Sequence, residues 1–177
     1  MNTRSYRATV KGACAVTIAL ATSAAPVQAR AAVTGNLDVS ATVAASCVVS
    51  STQALAFGTY DSVTTHATTP LDASGTVTTI CTAGTAAVIR LDQGVNPNTG
   101  STDAAPLRRA ANGINMLSYA LYSEATHTTA WGNTTPTGLA DTGDGAPRKL
   151  TVYGRMAAGQ RMPVGSYVDT VIAAVDF

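Results

Sequence analysis

Between Val33 and Val43 the chain alternates strictly. Val33, Gly35, Leu37, Val39, Ala41 and Val43 take the odd positions, and Thr34, Asn36, Asp38, Ser40 and Thr42 the even ones. A period of two puts successive side chains on opposite faces, so this stretch predicts a strand with one buried face. No hairpin partner follows it directly. The next β-rich run, "SCVVSSTQALAFGTYD", starts near Cys47 and stops at Gly58. Further short runs are "GTVTTICTAG", "AAVIRLDQG", "LRRA", "NMLSYALYS" and "KLTVYGRM", set apart by turn-forming clusters such as "VNPNTGSTDAAP" and "GNTTPTGLADTGDGAP". In the closing run, "GSYVDTVIAAVDF", Tyr167, Val171, Ala173, Val175 and Phe177 share a face, with Asp169 interrupting it. No segment carries a helical period. Many short strands between Gly, Pro, Asn and Asp clusters predict an all-β antiparallel sandwich in one domain.

The first and last runs belong together in this reading. The chain closes on a strand with nothing after it to lie alongside, and opens on a strand without a neighbour. A sandwich built this way is incomplete at one edge and has a surplus segment able to fill such an edge. Folding back within one chain is hampered by the short link between Val43 and Cys47. Filling the same groove on another copy requires no strain, so exchange between copies is the expectation.

The leading residues set the compartment. Arg4, Arg7 and Lys11 precede the short apolar run "ACAVTIALATSAA", and Ala29, Arg30 and Ala31 supply a cleavage site, which predicts a signal peptide over residues 1–31. The apolar run is too short to span a membrane. Cys14 lies inside it and is expected to leave with it. About 146 residues then remain, the size of one domain. The whole chain has a net charge of +1, but four of its eleven basic residues and none of its ten acidic ones lie in that segment, leaving about −3. That balance argues against nucleic acid or an anionic membrane surface as partner. No later run predicts membrane insertion. Cys47 and Cys81 survive cleavage, and an even pair in an exported chain is most simply one disulfide. A metal pair or redox couple would need further ligands or a C-x-x-C spacing, and the sequence has neither.

Candidate chemistry is sparse. "ADTGDG" contains the Asp-Thr-Gly triplet of aspartic proteases, but it follows "TPTGL" and not an apolar strand, so a surface turn is expected for Asp141 and Asp144. His66 and His127 stand alone, without a nucleophile motif or metal-ligand spacing. Trp131 is expected to pack in the core or at its rim. The sequence predicts no catalytic residue, cofactor or metal site.

Four stretches resemble the spore coat protein U domain family, which includes subunits of archaic, Csu-type chaperone–usher pili. They are "AVTGNLDVSATVAASCVV", "TTICT", "LSYALYSEATHTTAWG" and "VYGRMAAGQRMPVGSYVDTVIAAVDF", the last holding Gly165, Tyr167, Asp169 and Val171 in a G-x-Y-x-D-x-V pattern. The resemblance implies an immunoglobulin-like sandwich lacking its final strand, over residues 46–177, preceded by a donor strand over residues 32–45. It implies that Val33, Leu37, Val39, Ala41 and Val43 of one subunit fill a groove bordered in the next by Tyr167, Val171, Ala173, Val175 and Phe177. It pairs Cys47 with Cys81. It also implies a periplasmic chaperone that lends a strand, an outer-membrane usher where the exchange occurs, and a surface fibre outside the cell serving adhesion or biofilm formation. Gly35 would leave one pocket unfilled, a place for exchange to begin. Two other readings stay open: a spore- or cell-coat structural protein, and a secreted carbohydrate-binding domain, for which Trp131 is the one aromatic platform available.

Overall fold

In the computed structural model, which describes residues 30–177, the expected strand character is absent over residues 54–58 and 167–172 apart from a lone bridge at Val168, while the rest of the β-rich runs hold the strands. They are β1 (Cys47–Gln53), β2 (Leu71–Cys81), β3 (Ala86–Leu91), β4 (Arg108–Asn112), β5 (Asn115–Tyr122), β6 (Leu139–Thr142), β7 (Arg148–Met156) and β8 (Ala173–Asp176). The expected signal peptide, with Cys14, lies outside the described residues apart from Arg30 and Ala31. Residues 30–40 fall in one unit and residues from Ala41 onward in another, and every described strand belongs to the second. Residues 30–46 have no regular secondary structure.

All pairings are antiparallel. One sheet has the order β1-β2-β7-β5-β4 and the other β6-β3-β8. Alternation decides which side chains meet between them. On β2 the buried positions include Gly75, Val77, Thr79 and Cys81, and on β7 they are Val152, Gly154 and Met156. The register aligns Gly75 with Val152 and Val77 with Leu150, so these positions line one face. Ala87, Ile89 and Leu91 of β3 face them from the short sheet. This is an all-β immunoglobulin-like sandwich, as expected.

Two side chains tie the sheets together. Trp131, fully buried, donates its indole N–H to the Ile89 carbonyl at 2.8 Å, while its own backbone N–H reaches Leu121 O on the facing sheet. The expectation that it packs in the core holds. Arg108 of β4 is 1% exposed and donates to the carbonyls of Asp92, Leu91 and Trp131 at 2.7, 2.8 and 2.9 Å. Burial pushes its guanidinium down to about 10, so it stays charged at neutral pH. Three carbonyl dipoles take the place of water around that charge.

Cys47 and Cys81 are joined in a disulfide between the paired ends of β1 and β2. Closing a loop of 34 residues contributes ~3–4 kcal/mol in the chain-entropy picture. Cys47→Ser is therefore expected to lower the unfolding free energy by about that amount. Chemical denaturation of the purified protein checks it, and an unchanged midpoint would contradict it.

The chain departs from expectation at β6. "LADT" lies in a stretch read as turn, yet Leu139–Thr142 pairs with β3. Asp141 thus sits on a short edge strand, where Arg148 donates to it at 2.8 Å. The turn begins at Gly143, where an added Cβ would lie 2.5 Å from Thr82 O.

Candidate functional site

Past Gln53 the chain leaves the ladder and crosses the inner face of the large sheet. It can do so because two strand positions there are glycine. A Cβ at Gly75 would lie 2.8 Å from Gln53 O, and one at Gly154 would lie 2.8 Å from both Leu55 Cδ1 and Phe57 Cζ. Leu55 and Phe57 drop into that space, and Phe57 meets Tyr119 edge-on with centroids 6.0 Å apart. Residues 54–60 belong to no strand and are unpaired: their backbone makes no hydrogen bond to the backbone of another described residue.

The closing segment runs opposite. Val168 exchanges both backbone hydrogen bonds with Ala111 of β4, at 2.8 and 3.1 Å. Ile172 is held at both polar groups by Asp92, whose backbone N–H donates to Ile172 O and whose carboxylate accepts from Ile172 N. Asp169, which breaks the apolar face in sequence, secures the stretch between. It accepts from Tyr119 Oη at 2.6 Å, Val95 N at 3.0 Å and Asn96 Nδ2 at 3.3 Å. Burial, together with this bond to a carboxylate, pushes the Tyr119 hydroxyl far above the usual phenol range, so it remains a donor. Gly165 lies against the Asn112 side chain, whose Nδ2 would lie 1.8 Å from an added Cβ. Tyr167 donates to Pro163 O at 2.9 Å. The G-x-Y-x-D-x-V pattern thus fixes one wall in place.

Between the walls lies a cleft of about 1130 Å³. Its floor is made of core side chains, Val77, Leu117, Leu121, Val152 and Met156, each at most 6% exposed. Leu55, Phe57 and Tyr60 form one wall, and Tyr167, Val171 and Ala173 the other. At one end Asp61 shapes the loop, accepting from Val63 N and Thr64 N at 2.9 Å each and from the Thr64 hydroxyl. Those bonds, the hydroxyl's first, hold its carboxyl near a pKa of about 2. The site is apolar, elongated and bordered by unpaired backbone, which is the form of a slot for a β-strand.

The expected groove residues divide. Tyr167, Val171 and Ala173 line the cleft. Val175 packs beyond it on Cys47, Cys81 and Ala87. Phe177 is 60% exposed and borders a separate hollow with Val88 and Ala140, because the β3–β8 ladder stops at the Val88–Asp176 pair. The opposite wall was missed by sequence reading, although the Leu55, Phe57 alternation was there to see. Of the expected donor residues, Val33, Leu37, Val39 and Val43 are all more than four-fifths exposed, and Ala41 is exposed too. The histidines pack. His66 is buried, stacks on Tyr60 and has Nδ1 3.0 Å from Thr69 O. His127 sits edge-on to Tyr122 and Tyr153.

These features define an immunoglobulin-like sandwich left open along one side. The chain belongs to the Spore Coat Protein U domain family, whose profile matches residues 33–174. It is similar to Protein U of Myxococcus xanthus, with 43% identity over 176 residues covering 95% of this chain and 98% of that protein. Its fold resembles that in the crystal structure of the CsuC–CsuE chaperone–tip adhesion subunit pre-assembly complex from the archaic chaperone–usher Csu pili of Acinetobacter baumannii. The TM-score is 0.52 at 20% identity, over 77% of this chain and 40% of that one.

Proposed function

We propose that this chain is a structural subunit of an extracellular assembly, polymerised by donor-strand exchange. Residues 32–43 of one copy lie in the cleft of the next, with Val33, Leu37, Val39, Ala41 and Val43 turned to its floor and the even, polar positions outward. The observation that carries this reading is the cleft itself, floored by core side chains and bordered along residues 54–60 by backbone that pairs with no other described backbone. Burying each large donor side chain contributes up to ~1.5–3 kcal/mol, and ordering the segment opposes this by ~1–2 kcal/mol per residue. Slow dissociation then matters as much as affinity. An empty cleft of this kind is an aggregation hazard. The kinship in fold with a chaperone-bound subunit supports a periplasmic chaperone as its temporary occupant, with an outer-membrane usher as the place of exchange and a surface pilus, active in adhesion or biofilm formation, as the product.

A synthetic peptide of residues 32–43 tests the reading. At a hundredfold excess over its dissociation constant it adds ~2.7 kcal/mol to subunit stability, a rise on the order of 8 °C in melting temperature. It should also stop polymer growth. A peptide that neither stabilises nor inhibits argues against strand exchange. The family name supports a second reading, a spore or cell coat built by the same exchange. Electron microscopy of cells labelled with an antibody to this chain separates the two, since a pilus gives labelled fibres and a coat a labelled layer.

A further inference from the structure

The cleft is closed at one end. Beyond Thr52 and Ala173 its walls converge, where β1 and β8 approach each other and Val175 packs on Cys47 and Cys81. The other end is bordered by the loops around Asp61 and Pro163. A strand lying in the cleft therefore passes out through this mouth to its own body. The remaining tether is short. Only Ala44, Ala45 and Ser46 separate Val43 from Cys47, and Thr82 of the same copy holds this stretch. Its backbone N–H donates to Ser46 O at 2.9 Å and its hydroxyl reaches Ala44 O at 3.4 Å. Three residues span at most ~10 Å, which is too little to keep two folded bodies apart.

The mouth is not dressed as a free surface. Val63, Ile114 and Val164 are 83, 94 and 102% exposed. They stand on three loops at or beside that end: Ser62, next to Val63, and Val164 border the cleft, and Ile114 follows Asn112, whose side chain reaches Gly165. Large apolar side chains gathered at one end mark a contact surface. Resting on the donor-strand reading above, we infer that Val63, Ile114 and Val164 form a docking surface for a second copy, the donor's own body, which seats its Thr82–Thr85 turn on them. Each junction is then stacked body on body and resists bending.

Two measurements on the assembled full chain test this. Ala83 and Ile114 are exposed, and neither lines the cleft. With Cys47 and Cys81 already joined, Ala83→Cys combined with Ile114→Cys offers two free thiols to a short bis-maleimide. Fibres so treated are expected to give a ladder of covalent oligomers on a denaturing gel. Val63→Ser combined with Ile114→Ser is expected to leave fibres forming but to reduce their persistence length at least twofold in micrographs. Intact fibres that give only monomer bands, with persistence length unchanged in the serine variant, overturn the docking surface. Failure of the unsubstituted chain to polymerise would instead overturn strand exchange itself.

Discussion

Leu37→Asp is expected to abolish assembly while leaving the folded body intact. The side chain is 87% exposed in the single chain, so nothing in the body depends on it. In the cleft of a neighbour it would meet Val77, Leu121 and Val152. Replacing leucine removes ~1.5–3 kcal/mol of apolar burial. It also places a carboxylate where no cation is available to pair with it, at a further penalty of several kcal/mol. A combined loss of at least ~4 kcal/mol is about a thousandfold in affinity. Val39→Asp acts in the same way. The check is polymer length in purified material by sedimentation and microscopy, beside a thermal melt of the monomer. Fibres of normal length from either variant would sink the assignment of the leading segment as donor.

Trp131→Ala is expected to cause the largest loss of stability of any single change in the body. The indole is fully buried, joins both sheets, and packs within the cluster of Val77, Ile89, Leu91, Leu121 and Val152. Truncating a buried tryptophan costs ~3–5 kcal/mol, and the Ile89 carbonyl loses its donor as well. For a domain of this size the melting temperature should fall by roughly 10 °C or more. Equilibrium denaturation reads this directly. A loss below ~1 kcal/mol would show that the core relaxes around the gap more freely than its packing implies.

Much of the fold was legible because alternation and turn residues act locally. The runs holding Val77, Ile89, Leu121 and Val152 announce strands by their own composition. β6 was not legible for the opposite reason. Four residues amid Gly, Pro and Asp have little strand signal of their own, and they pair because β3 presents an edge to them. The cleft was half legible. Val171 and Ala173 share a face by their spacing, and the family resemblance made that face a wall. Leu55 and Phe57 could not, since their seat depends on Gly75 and Gly154, each distant in sequence. Asp169 looked like a flaw in an apolar face. Its role comes from donors on Tyr119, Val95 and Asn96, brought to it only by folding.

The position of the disulfide has a mechanical consequence. Any pull on the leading segment meets the Thr82 bonds to Ala44 and Ser46 and then Cys47, the first residue of β1. From there tension passes through a covalent bond into Cys81, on a strand flanked by ladders on both sides. The β1–β2 hydrogen bonds are spared the load, so the outermost strand cannot be peeled away rung by rung, and the body can bear traction that the same sheet without its covalent stitch would not withstand.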